Sequence, residues 1–125
     1  MVSMDFGIET IRAAAERLES RVRRTPLLSS PMLDELCGAT VLVKAEALQL
    51  TGSFKIRGAA SKMTSLPRDQ QVITASSGNH GIGAAHAASA IGQKLTVVLP
   101  EIVKPAKLER IRAYGVDVVL HGSET

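Results

Sequence analysis

Apolar residues at Ile8, Ile11, Ala15, Leu18 and Val22 recur at intervals of three and four, with Arg12, Glu16, Arg17 and Glu19 between them. That spacing gathers the apolar positions on one side of a helix and predicts an amphipathic helix. It must end before Thr25-Pro26, because the residue preceding a proline is pushed out of the α region. Ser30-Pro31 offers an N-cap hydroxyl followed by a residue whose φ is already helical, which predicts a short helix that Gly38 stops. The pattern then changes. Over 40–45 the residues Val41, Leu42 and Val43 are consecutive, as expected of a strand covered on both faces.

Residues 46–52 read as a connection, and Ser53 has the hydroxyl that an N-cap needs. A helix is expected over 54–66, broken by Pro67-Arg68-Asp69. Beyond this the alternation is regular: a strand over 71–75, a helix over 79–90 stopped near Gly92, a strand over 94–99, a helix over 105–114 stopped by Gly115, and a strand over 116–121. Short apolar strands alternating with helices imply right-handed crossovers and a parallel sheet. The expected class is α/β. A boundary at 65–70 divides it into an N-terminal segment, 1–66, and a small parallel-sheet βαβ lobe, 67–125.

Composition changes this picture little. The 125 residues suit one domain, with a hydrophobic share of 45% and a mean hydropathy of +0.12. The three aromatic residues, Phe6, Phe54 and Tyr114, leave the core to Ala, Val, Ile and Leu and leave almost nothing to stack on bases. The net charge of +3 comes from 15 basic and 12 acidic residues. Its densest basic cluster, Arg21, Arg23 and Arg24, falls at the end of the first helix, where cations complement the helix dipole, so nucleic-acid binding is not expected.

The single cysteine, Cys37, excludes an intrachain disulfide and fits a reducing compartment. Beside the helix stop at Gly38 it is expected to be buried as a small apolar residue. Met1 to Phe6 lacks the basic start and apolar run of a signal peptide, and no apolar run approaches a membrane span. A cytoplasmic protein with no membrane partner is expected. His80 and His86, six apart, would lie on different faces of a helix, so no metal site is expected. His80 reads as a loop residue close to a site, and His86 and His121 read as structural.

The candidate chemistry begins at Lys55, inside Thr51-Gly52-Ser53-Phe54-Lys55-Ile56-Arg57-Gly58-Ala59. A lysine in the first turn of a helix meets the positive end of the dipole, and partial burial beside Phe54 would further disfavour its ammonium. A neutral lysine amine is the nucleophile that carbonyl chemistry needs. The second candidate is Ala75-Ser76-Ser77-Gly78-Asn79-His80-Gly81, where a strand hands over to a helix of small residues. Ligands in parallel sheets bind beyond the carboxyl ends of strands, and N–H groups at a helix start suit a carboxylate or phosphate. Gly78, Gly81 and Gly83 read either as room for a ligand or as close helix packing; paired with Lys55, the ligand reading is preferred.

The two stretches together resemble the pyridoxal-phosphate-dependent serine/threonine dehydratase and serine racemase family, of the tryptophan-synthase-β-like fold type II. The resemblance extends over Arg24-Thr25-Pro26-Leu27, Val43-Lys44-Ala45-Glu46, Val98-Leu99-Pro100, Pro105-Ala106-Lys107 and Ile111-Arg112, almost the whole chain. It implies pyridoxal 5'-phosphate as cofactor, held covalently by Lys55, which also moves the Cα proton. It implies Phe54 packed on the cofactor ring and Asn79 hydrogen-bonded to the ring's 3-hydroxyl oxygen. Ser76, Ser77, Gly78, Asn79 and His80 would receive the carboxylate of an amino-acid substrate. Ser77 is informative, because dehydratases of this kind commonly carry alanine there and the racemases carry serine as an acid/base.

The expected activity is a dehydratase, or ammonia-lyase, of hydroxy amino acids such as threonine or serine, giving a 2-keto acid and ammonia in a homo-oligomer. The alternatives are an amino-acid racemase of the same family and, from another class, a non-catalytic α/β binding module. Cysteine synthase-like enzymes resemble the chain less, since Asp-Arg usually follows their lysine motif, where this chain has Ile56-Arg57. Ile82-Gly83 departs from the polar or small residues usual after Gly81. The cofactor-phosphate cup, the pyridine-nitrogen partner and most of the large domain of such enzymes have no counterpart before Thr125, so the chain is expected to be an N-terminal portion, inactive alone, with apolar surface left uncovered.

Overall fold

Serine, proline and glycine punctuate the elements as their chemistry requires. In the computed structural model, which describes residues 7–123, the Ser30 side chain accepts from the Leu33 N–H and Gly38 takes a left-handed φ of 62°, bracketing α2, Pro31–Cys37. Gly92, at φ 69°, closes α4, Asn79–Ile91, in the same way. The other elements are α1 (Ile8–Leu18), β1 (Leu27–Ser29), β2 (Leu42–Lys44), α3 (Lys55–Thr64), β3 (Val72–Ala75), β4 (Leu95–Leu99), α5 (Pro105–Arg112) and β5 (Asp117–Leu120), with a single 3₁₀ turn at Glu46–Leu48. Met1 to Phe6, and with them the expected absence of a leader, lie outside the described residues. No helix among the described residues is long and apolar enough to cross a membrane.

Two sheets form. β3, β4 and β5 are parallel in that order, with Val72 opposite Leu95 and Val97 opposite Val118. β1 and β2 make a separate antiparallel pair, Leu28 opposite Val43. The expected α/β parallel lobe is therefore present, and β1 is an additional strand. β2 is shorter than the expected strand over 40–45 and all of its residues are exposed, so the double covering that its apolar run suggests is absent. The uncovered apolar surface expected at this strand and at the first helix is found. The one strand neighbour of β2 is β1, whose residues are also exposed.

The core lies between the parallel sheet and α4 and α5, and continues into the contact of α4 with α3. Ile56, Val97, Leu99 and Ile111 are fully enclosed, and Ala84, Ala85, Ala87 and Ala88 line the buried flank of α4. α1 ends four residues sooner than its apolar spacing predicts, and of that stripe Leu18 is buried whereas Ile8 and Ile11 are exposed. Cys37 is exposed as well, because the flank of α2 that carries it meets no other element, so its expected burial is not found.

Alanines and glycines on α4 allow α3 to approach closely. A Cβ on Gly83 would lie 3.0 Å from the Ile56 nitrogen and 3.1 Å from the Lys55 carbonyl carbon. A Cβ on Gly81 would lie 2.1 Å from the Ser76 carbonyl oxygen. These two glycines thus clear backbone, and the preferred reading of them as ligand clearance is corrected to close packing. Gly78 differs, since a Cβ there would meet only Ser76 Oγ, at 3.9 Å.

Candidate active site

Lys55 is the first residue of α3, preceded by Phe54 in helical conformation with no side-chain cap. Ser53 is therefore not the expected N-cap: its Oγ is buried without a hydrogen-bond partner, as is Thr51 Oγ1. Lys55 is exposed, and its Nζ stands 5.2 Å from the centroid of the Phe54 ring, within cation–π range. Phe54 is itself 59% exposed, so the partial burial expected for the lysine is absent.

A polar network fixes the loop leading to this lysine. Arg57 donates to Glu46 through Nε at 2.8 Å and Nη2 at 2.7 Å, a two-point grip on one carboxylate. Thr25 Oγ1 donates to the same carboxylate, and Lys44 Nζ donates to the Thr25 carbonyl at 2.8 Å. The hydrogen bond from Arg57 holds the Glu46 carboxyl at about 2, far below its ordinary 4.5, against the opposing effect of burial. The same pairing raises the Arg57 pKa. Alongside, the buried Gln49 amide accepts from the Arg23 N–H at 2.8 Å and donates to the Arg23 carbonyl at 2.9 Å.

Across the α3–α4 contact lies the second candidate stretch. Ser76 follows β3, its N–H donating to the Val98 carbonyl at 3.2 Å, and its Oγ accepts from the Gly78 N–H at 3.2 Å. One N–H of the expected carboxylate loop is thus engaged within the loop. Ser76, Ser77 and Gly78 line a cleft of about 320 Å³ at the carboxyl ends of the parallel strands, walled also by Pro100 and His121. Lys55, Phe54, Asn79 and His80 are not among its walls. Asn79 is exposed in the first turn of α4, and the His80 ring is within 3.1 Å of Thr74 Oγ1 on β3.

Sequence reasoning did not foresee two features of this region. One is the pairing of Glu46 with Arg57, whose opposite charges could have suggested it. The other is His121 in the cleft; the strand-end rule that singled out Ser76 applies equally to β5, which His121 follows. His86 does prove structural, its ring edge-on to Tyr114 at 5.5 Å and its pKa lowered by burial.

An accessible primary amine beside a flat apolar ring, two unpaired buried hydroxyls just before it, and open space over Gly78 fit a carbonyl cofactor with an aromatic ring. The class of protein follows from the sequence match: residues 18–125 match the model of the pyridoxal-phosphate dependent enzyme family, and the chain belongs to it. More particularly, it is 48% identical over 115 residues to an L-threonine ammonia-lyase of Geobacter sulfurreducens, a match covering 90% of this chain and 29% of the relative. Among solved structures, the serine racemase of Dictyostelium discoideum superposes with a TM-score of 0.87 at 38% identity, covering 91% of this chain and 38% of that one. A T.th. threonine deaminase does so with a TM-score of 0.80 at 45% identity, covering 95% and 38%. The chain spans about a third of the length of the relatives it matches.

Proposed function

We propose that this chain supplies the lysine and the substrate-carboxylate loop of an ammonia-lyase acting on threonine or serine, which leaves a 2-keto acid and ammonia. The observation that carries this reading is Gly83, which lets the helix behind Ser76 to His80 rest on the first turn of the helix that begins with Lys55. The amine and the loop are then parts of one packed unit, which meets the requirement for orienting a reacting C–H bond. In this reading Ser76, Ser77, Gly78, Asn79 and His80 bind the carboxylate, Lys55 takes the Cα proton, Phe54 covers one ring face and Asn79 holds the ring oxygen. Pyridoxal phosphate, when bound, supplies the electron sink that makes that proton removable. A division at 65–70 belongs to this proposal, with the lysine helix of the front segment packed against α4 of the lobe.

Racemisation is the second reading, favoured by the Ser77 hydroxyl in the cleft wall. A hydroxyl there would return a proton to Cα from the side away from Lys55. Amino-acid substrates and homo-oligomeric assembly belong to either reading.

The test is the complete gene product with and without Lys55→Ala. The unaltered protein should show a visible absorbance band with pyridoxal phosphate and release ammonia from threonine or serine. The variant should lose the band and at least about 10³-fold in rate. A band and turnover that survive the substitution remove Lys55 from the chemistry. Absence of both in the unaltered protein leaves a non-catalytic binding module.

A further inference from the structure

Among the described residues, His121 is the one ionisable side chain in the wall of the cleft that Ser76, Ser77 and Gly78 line. It immediately follows β5, and its position is fixed by backbone pairing that continues past the strands. The His121 N–H donates to the Leu99 carbonyl at 2.8 Å, and the Gly122 carbonyl accepts from the Glu101 N–H at 2.8 Å. The imidazole is thus presented from a braced strand end.

The sheet order puts β4 between β3 and β5, so Ser76 and His121 follow strands two places apart. At the usual strand spacing that separation is roughly 10 Å. An amino acid whose carboxylate rests on the Ser76 loop extends its β-substituent only part of this distance, and the histidine side chain with one hydrogen bond of about 3 Å closes the remainder. Ala75, Val98, Leu99 and Pro100 make the rest of the wall largely apolar, so a polar group entering there has His121 as its side-chain partner beyond the serines.

We infer that His121 is a specificity-determining residue, hydrogen-bonding the polar group on the substrate's β-carbon. The inference rests on the carboxylate reading of the Ser76 loop and adds the end of the molecule that this loop does not touch. The ring is exposed in the free chain, and a substrate seated against the apolar wall would cover it, so an analogue lacking the polar group would leave the covered ring without its partner.

The experiment compares serine with alanine, which lacks the hydroxyl, as ligands of the complete gene product loaded with pyridoxal phosphate. Binding is read by calorimetry and turnover of serine by ammonia release. His121→Ala should weaken serine binding and raise its KM about tenfold, leave alanine binding within about twofold, and leave the cofactor absorbance band intact. His121→Gln, which retains an N–H donor, should recover most of the serine affinity. Equal losses for serine and alanine, or no loss for either, overturn the inference while the proposed function stands. An unaltered protein that binds neither amino acid overturns both readings.

Discussion

Leu28 faces Val43 across β1 and β2, and Val97 faces Val118 across β4 and β5. All four are apolar, yet Leu28 and Val43 are 50% and 44% exposed whereas Val97 is fully enclosed. Strand composition does not account for this. α3, α4 and α5 build the core around the parallel sheet, and every residue of the antiparallel pair is exposed. An apolar run therefore states a capacity for burial, and the elements that cross its faces decide whether the capacity is used.

The sharpest way to break the packed side of this comparison is Gly81→Ala. The new methyl would collide with the Ser76 carbonyl, so helix and loop must part, and urea denaturation should show a loss of more than about 3 kcal/mol. Gly78→Ala, three residues earlier, would bring a methyl only into ordinary contact with Ser76 Oγ at 3.9 Å and should stay within about 0.5 kcal/mol. Next in size is the contrast between Val97→Ala and Val43→Ala. The first should cost about 2 kcal/mol by removing enclosed methyls, the second less than about 0.5 kcal/mol in the same assay.

Smaller than the losses at Gly81 and Val97 is the effect at the bridge between the two regions, the grip of Arg57 on Glu46. Glu46→Gln should cost roughly 1 to 2 kcal/mol at neutral pH. Because the folded-state pKa of Glu46 is depressed, its contribution is complete above about 4.5 and disappears as the pH falls toward about 2. Thermal melts of the two proteins should therefore converge over that interval and remain parallel above it.

The legible part of the fold was the part where punctuation and periodicity agree. β3, β4 and β5, with α4 and α5 between them, are bounded by glycine or proline and were readable almost to the residue. β1 was not, because Leu27–Ser29 is too short to show alternation and its partner lies beyond α2. In the candidate site, the order Ser-Ser-Gly at the end of a strand disclosed the cleft wall. Whether a glycine clears a ligand or a neighbouring backbone was not legible, since that depends on what stands opposite Gly78 and Gly81 in the fold. The Glu46–Arg57 pairing was legible only as opposite charges, since which partners meet depends on the path of the loop between them.

The hold of Gln49 on Arg23 shows where the specification of a contact can be stored. One amide side chain accepts from the Arg23 N–H and donates to the Arg23 carbonyl, the same two bonds that a neighbouring strand would make with that peptide. A strand would spread the instruction over several residues with the right alternation. Here it is compressed into a single letter 26 positions away, and it addresses the backbone N–H and C=O of residue 23, which every amino acid except proline presents identically.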